Sequence, residues 1–330
     1  MPDAIVLESV RKTFGPKVAV DGVSLRIPEG TVCGFIGPNG AGKTTTIRMI
    51  MSIIFPDSGR ISVLGRPSAV ESKDRIGYLP EERGVYRKMR VGAFVAYMAR
   101  LKGVDSRGLK AKVRDWLARL GLADVYRKRC EELSKGMQQK VQFLAAIIHE
   151  PDLLILDEVF SGLDPVNRKL MRELIDEQHD AGRTIIFSTH AMYEAEALCT
   201  QVFMIHQGRK VLDAPVSEIL SRFDPHALVV EPASRDGAAD LLRALPGVAD
   251  VSEPGDGDAA VWQLNVRLVE GSDVTRAIAM IAGALPVRRI EVKRASLEDV
   301  FIDLVTASGS PAPRREDLRA RPEPQEVPGA

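Results

Sequence analysis

The densest chemistry in this sequence sits in Gly37-Pro38-Asn39-Gly40-Ala41-Gly42-Lys43-Thr44-Thr45. Two glycines, a lysine and a hydroxyl at the spacing G-x-x-x-x-G-K-[ST] describe a loop that wraps phosphate. Gly37, Gly40 and Gly42 lack a Cβ, so the backbone around Asn39 can turn its N–H groups inward. Those donors and the positive end of the following helix form a cradle for anionic oxygens, closed by Thr45. Lys43 is placed to reach the β- and γ-phosphates, and the Thr44 hydroxyl to hold Mg²⁺. The ligand this implies is a phosphate chain bound with Mg²⁺.

A second group lies at Leu153-Leu154-Ile155-Leu156-Asp157-Glu158. Four apolar residues bury a strand and deliver two carboxylates at its tip. Asp157 suits Mg²⁺, directly or through water. Glu158 suits a general base that polarises an attacking water. A third candidate is Ser134, an N-cap in Leu133-Ser134-Lys135-Gly136-Met137, where free amide donors attract anions. Taken singly, each has a plainer reading: a glycine turn before a helix, a core strand ending in acids, an ordinary helix start.

These groups need elements to hold them. Val32–Ile36 is an apolar run leading into the glycine loop, and Ile47, Met49, Ile50 and Met51 continue out of it as a helix. Leu153–Leu156 and Thr184–Phe187 are further apolar runs, the second ending in Ser188-Thr189-His190. Apolar strands alternating with helices predict a parallel α/β sheet buried on both faces, with ligands at its carboxyl ends. Residues 4–30 read as shorter β segments, with turns at Gly15-Pro16 and Asp21-Gly22. A short strand is expected at Arg60–Leu64. From Val91 to Ile148 the periodicity is helical: Val113, Trp116, Leu117 and Leu120 recur at one face, as do Val141, Leu144, Ala145 and Ile148. A helical subdomain is therefore expected at about 85–150.

Composition shifts near Phe223-Asp224-Pro225, which sets a first domain at 1–223. Strands at Ala227–Val230, Val248–Val251, Val261–Leu268 and Val287–Val292 are expected, with helices at Ala238–Leu245 and Val274–Ala284. That βαββαβ order predicts a small ferredoxin-like α+β domain over 224–306, ending in a helix at Leu297–Val305. Residues 307–330, rich in Pro, Arg and Glu, are expected to be a disordered tail.

The chain has 330 residues, 45% hydrophobic and 27% charged, enough for two folded domains. Its formal net charge of zero removes global charge as an argument for nucleic acid. Cys33, Cys130 and Cys199 are scattered, which gives neither a disulfide framework nor a zinc spacing. No run of about 18 apolar residues is present, and the N-terminus has no secretory pattern. A cytoplasmic protein is expected, one that works at a membrane only through another polypeptide.

The phosphate loop, the L-S-x-G at Leu133–Gly136, the apolar strand ending in Asp157-Glu158, the S-G-L-D at Ser161–Asp164 and Ser188-Thr189-His190 follow one another in order. In this it resembles the ATP-binding cassette (ABC) family over about the first two-thirds of the chain. The resemblance implies a P-loop NTPase fold: a RecA-like parallel core, an antiparallel β subdomain and a helical subdomain. It implies two protomers packed head to tail, each nucleotide lying on one phosphate loop and facing Ser134–Gly136 of the other chain. The partner copy is this chain again or a paired ABC subunit. Phe14 matches the aromatic that stacks on adenine, His190 the switch histidine at the γ-phosphate, and Asp164 the aspartate that crosses the interface. Lys135 and Met137 replace the first glycine and the glutamine of the usual L-S-G-G-Q. Glu81 stands where the family usually has a glutamine that senses Mg²⁺, and remains able to ligate it.

Both departures, and Ser296-Leu297-Glu298-Asp299-Val300-Phe301, resemble an exporter branch that handles drugs, antibiotics or sodium. The expected function is ATP hydrolysis driving a separate membrane permease, with the chain peripheral on the inner face of the cell membrane. Two alternatives stand beside it: a soluble family member acting on ribosomes or nucleic acid, and a module that holds nucleotide without turning it over.

Overall fold

The computed structural model describes residues 2–82, 84–253 and 262–307. The expected tail at 307–330 lies, from residue 308 on, outside the described residues. The chain opens with β1 (Asp3–Phe14) and β2 (Lys17–Pro28), then β3 (Val32–Ile36), α1 (Lys43–Ile50), β4 (Ser58–Val63) and β5 (Ile76–Leu79). Three helices follow: α2 (Val91–Leu101), α3 (Leu109–Arg119) and α4 (Lys135–Ile147). Then come β6 (Leu153–Asp157), α5 (Pro165–Asp180), β7 (Thr184–Thr189), α6 (Met192–Leu198), β8 (Gln201–His206), β9 (Arg209–Pro215) and α7 (Val216–Arg222). The rest is β10 (Ala227–Pro232), α8 (Ala238–Arg243), β11 (Val248–Ser252), β12 (Leu264–Leu268), α9 (Val274–Ala284), β13 (Val287–Lys293) and α10 (Leu297–Ala307).

The described residues form two compact units, 2–216 with 301–307, and those within 217–300. In the first, a six-stranded sheet has the order β5-β6-β7-β3-β8-β9. All neighbouring pairs are parallel except β8–β9. The strands β3, β6 and β7 are buried at every position, as a sheet covered on both faces demands. A second sheet, β2-β1-β4, is antiparallel. One core joins the two sheets, with Leu7, Ile27, Phe35, Ile47 and Phe203 among its buried members.

The two opening strands run 12 residues each, longer than the short apolar sets visible in the sequence. The reason is local. The β1–β2 register shifts between Leu7 and Val10, and Ser9 has φ 48°, so a bulge breaks the alternation that would mark one long strand. The helical stretch from Val91 resolves into α2, α3 and α4, with Val113, Leu117, Leu120, Val141 and Leu144 buried on their facing sides. Trp116 is only partly covered; the Arg119 guanidinium lies 4.2 Å from its ring centre.

The second unit carries the order β10-α8-β11-β12-α9-β13 and an antiparallel sheet β11-β12-β10-β13. This is the ferredoxin-like arrangement. Its core packs Leu228, Val230, Leu242, Val266 and Ile281. β12 starts at Leu264, later than its apolar run; Val261 lies outside the described residues. The unit takes in α7, upstream of the composition shift, whereas Phe301 at the other end belongs with the first unit.

Candidate active site

Sheet order does the positioning. β7 lies between β6 and β3, and Asp157 pairs with Ser188 while Ile36 pairs with Thr189. The carboxyl ends of the three strands therefore bring Asp157-Glu158, His190 and the glycine loop to one place. A cavity of about 640 Å³ opens there. Phe14, Asn39, Gly40, Gly42, Lys43, Thr44, Thr45, Glu81, Glu158 and His190 all line it. So do Ala41 and Ser161, which belong to quoted motifs without a role of their own, and Lys17, Ala19 and Glu82.

The loop needs its glycines for two different reasons. A Cβ on Gly37 would stand 2.2 Å from the Ile205 carbonyl oxygen, inside the neighbouring strand. Gly42 has φ 111°, left-handed backbone, and a Cβ there would meet the Ala19 oxygen at 2.6 Å. Lys43 is buried and folds back, donating to the Gly37 carbonyl at 2.7 Å and the Pro38 carbonyl at 3.2 Å. Its Nζ lies 3.8 Å from Glu158. Burial pushes the Lys43 ammonium below its ordinary pKa, opposed by the charges of Glu158, Asp157 and Glu81.

Glu158 is itself strained, with φ 50° in a residue that carries a side chain. Its N–H donates to Ser188 O and to Ser188 Oγ, both at 3.2 Å. His190 Nδ1 is 3.1 Å from each Glu158 carboxylate oxygen. Asp157 is 1% exposed. Its Oδ1 accepts from Ser188 Oγ and from Thr44 Oγ1 at 3.4 Å, whereas its buried Oδ2 has no hydrogen-bond partner. Burial, and secondarily the Glu158 charge, pushes the Asp157 carboxyl up; the Ser188 hydrogen bond pulls against this. The Glu81 carboxyl is also raised, by desolvation and then by Asp157 and Glu158.

These features test the fit of Mg²⁺. An orphaned buried carboxylate oxygen beside a threonine hydroxyl, among acids whose charge is disfavoured, is a set of oxygen donors short of a cation. No group of three or more His, Cys, Asp and Glu side chains among the described residues is arranged to hold a metal alone. Mg²⁺ needs no such cage, since it takes one or two protein oxygens and fills the rest with phosphate and water.

Phe14 ends β1 and is 50% exposed at the cavity. Asp57 fixes its approach: it accepts from Lys12 Nζ at 2.8 Å, from Thr13 N at 2.7 Å and from Thr13 Oγ1 at 2.6 Å. The lysine and threonine donors hold the Asp57 carboxyl down at about 2.

Five sequence candidates do not line the cavity: Gly37 and Asp157 lie buried directly behind it, and Ser134, Gly136 and Asp164 lie elsewhere. Ser134 is exposed and caps α4 by accepting from Met137 N at 3.4 Å. Gly136 follows it. Asp164 is exposed and caps α5, accepting from Asn167 N at 2.9 Å. A Cβ on Gly136 would lie 3.7 Å from Leu163 and 4.0 Å from Asn167, so the two helix starts are neighbours outside the pocket.

The profile of the family described as "ABC transporter" matches residues 20–161. That of the "DrrA1-3-like, C-terminal domain" matches 215–305, and an "AAA domain" profile matches 129–196. The ABC transporter ATP-binding protein YhaQ of Bacillus subtilis (strain 168) is 40% identical over 305 residues, 92% of this chain and 99% of its own. The chain belongs to the ABC transporter ATP-binding family. The daunorubicin resistance ATP-binding protein DrrA3 of Streptomyces coeruleorubidus is 31% identical over 308 residues, 91% of this chain and 95% of that one. A solved ATP-binding subunit of an ABC transporter superposes with TM-score 0.62 at 28% identity, over 67% of this chain and 93% of its own. Members of this ABC family bind ATP, generally with Mg²⁺, and hydrolyse it. They generally dimerise and pair with a membrane permease. No helix among the described residues is long and apolar enough to cross a membrane.

Proposed function

We propose that this chain is the ATPase subunit of an ABC exporter, working as a head-to-tail dimer on a separate permease. One observation carries the reading. Lys43, Thr44, Glu158 and His190 line one cavity, with Asp157 buried just behind it on Thr44, while Ser134, Gly136 and Asp164 stand outside it at two helix starts. On this reading one chain supplies half of the nucleotide site and a second chain the other half.

Each residue then has a task. Phe14 stacks on adenine, and the N–H groups from Asn39 to Thr45 hold the phosphates. Lys43 swings from the Gly37 carbonyl to the γ-phosphate. Thr44 and Asp157 would hold Mg²⁺, with Glu81 as a further oxygen donor. Mg²⁺, when bound, neutralises charge on the β- and γ-oxygens. Glu158 takes a proton from the attacking water, and His190 fixes the Glu158 carboxylate and contacts the γ-phosphate. Phosphoryl transfer asks for positioning and charge more than covalent help, and these side chains supply both. Ser134 and Gly136 of the second chain close the pocket, and Asp164 lies at the seam.

A permease partner is supported by a hollow of about 570 Å³ lined by Tyr86, Arg87, Lys88, Met89 and Tyr97. Tyr86 is 52% exposed, stacked edge-on against Phe94 and Tyr97. Aromatic and basic, it suits an amphipathic helix from a membrane subunit. The expected seat is at the inner face of the membrane, through that permease. The ferredoxin-like unit is read as a regulatory or bracing module, and relatives with drug-resistance names support an export role.

The test is turnover of the purified chain with Mg²⁺–ATP. Glu158→Gln is expected to lower the rate by roughly 10²–10⁴ while leaving ATP binding intact. Full turnover in that variant would refute the assignment of the base.

A further inference from the structure

The helix that begins at Ser134 touches more than its own cap. Gln139, half-buried on α4, donates through Nε2 to the Val159 carbonyl. Val159 is fully buried and directly follows Glu158, whose backbone sits in the left-handed region at φ 50°. Such a conformation lasts only where its surroundings enforce it. β7 holds one side, through the Glu158 N–H on Ser188. The turn holds another, with Ser161 N donating to Glu158 O at 3.0 Å. Gln139 supplies a third restraint, and it comes from the helix that bears Ser134 and Gly136.

We propose that Gln139 is a positioning residue that couples the two ATP sites of the dimer. This rests on the head-to-tail reading above. In that arrangement Ser134 and Gly136 address the nucleotide held by the partner, whereas Glu158 acts on the nucleotide held by its own chain. Gln139 joins the two inside one polypeptide. When ATP seats against the start of α4 in one site, the helix carries the Gln139 amide with it. The Val159 carbonyl follows, and Glu158 is set in the other site. A ligand shifts such an equilibrium only through contacts that differ between states; here that contact is made by Ser134 and transmitted by one hydrogen bond. The buried Val159 oxygen makes the bond hard to dispense with, since an unpaired carbonyl there is costly.

The experiment uses the full-length chain and compares Gln139→Leu, which keeps the volume and removes the donor, with Gln139→Lys, which restores an N–H. Gln139→Leu is expected to lower kcat roughly 10- to 100-fold, the scale of a misplaced catalytic group. ATP KM should stay within about twofold, the mark of an interaction felt in the transition state rather than in binding. The Hill coefficient for ATP should fall to about 1 as coupling is lost. Gln139→Lys should recover rate and cooperativity. Wild-type rate and cooperativity in Gln139→Leu would overturn the proposal. So would a loss that appears equally in ATP affinity and melting temperature, or one that Gln139→Lys fails to relieve. Ser134→Glu separates the two ideas. If it leaves turnover intact, the dimer reading fails. If it abolishes turnover while Gln139→Leu behaves as wild type, only the coupling role fails.

Discussion

Carboxylates crowd this end of the sheet, and burial and mutual repulsion push Glu81 and Asp157 both toward the neutral form. A single glutamine at position 81 would relieve part of that repulsion; the glutamate keeps an extra oxygen donor within reach of a cation. The acids at 157 and 158 were legible because they end an apolar strand. Ser188 as the group that orients both was not, because its role appears only when β6 and β7 pair in register. Asp57 and Gln139 were hidden for the same reason, as each acts on backbone distant in sequence. His149 was also invisible. It lies against β5, the strand that leads to Glu81, with Nε2 3.1 Å from the Ile76 carbonyl. Burial, and next the Lys102 charge, lowers its pKa from 6.5 to about 4. The folded state thus binds fewer protons than the unfolded chain between those values, so stability is present above pH 6.5 and is lost as pH falls toward 4. His149→Gln should flatten this loss, narrowing the drop in melting temperature between pH 7 and pH 5 by roughly 2–4 °C. An unchanged pH profile in thermal melts would contradict it.

Elements were easier to read than their partners. Buried strands and the glycine loop announce themselves as apolar runs with fixed punctuation, so β3, α1, β6 and β7 were legible nearly to the residue. The opening strands were not, because the bulge at Ser9 scrambles their alternation. The last helix shows the same limit. Its apolar positions were plain, but not which core they serve. Phe301 is fully buried and stacks edge-on against His206, 5.9 Å between ring centres, at the end of the strand beside the phosphate loop. His206 is lowered in pKa by its burial there. Phe301→Ala should therefore destabilise the nucleotide-binding unit by about 3–5 kcal/mol, read as a lower urea midpoint. A midpoint equal to wild type would place the ring outside that core.

For the whole molecule, the order of the motifs carried the family, and the fold explains why order suffices: each motif ends a strand of one sheet or starts a helix beside it. What the motifs could not state is which of them share a pocket within one chain. Ser134, Gly136 and Asp164 do not line the cavity, and the proposed head-to-tail dimer would bring them to it from a second copy. The most direct test is the mass of the Glu158→Gln variant in solution, measured by light scattering with and without Mg²⁺–ATP. A nucleotide-dependent shift from monomer to dimer is predicted, abolished when Ser134→Glu is added. A mass indifferent to ATP, or a dimer that forms despite Ser134→Glu, would contradict a shared site.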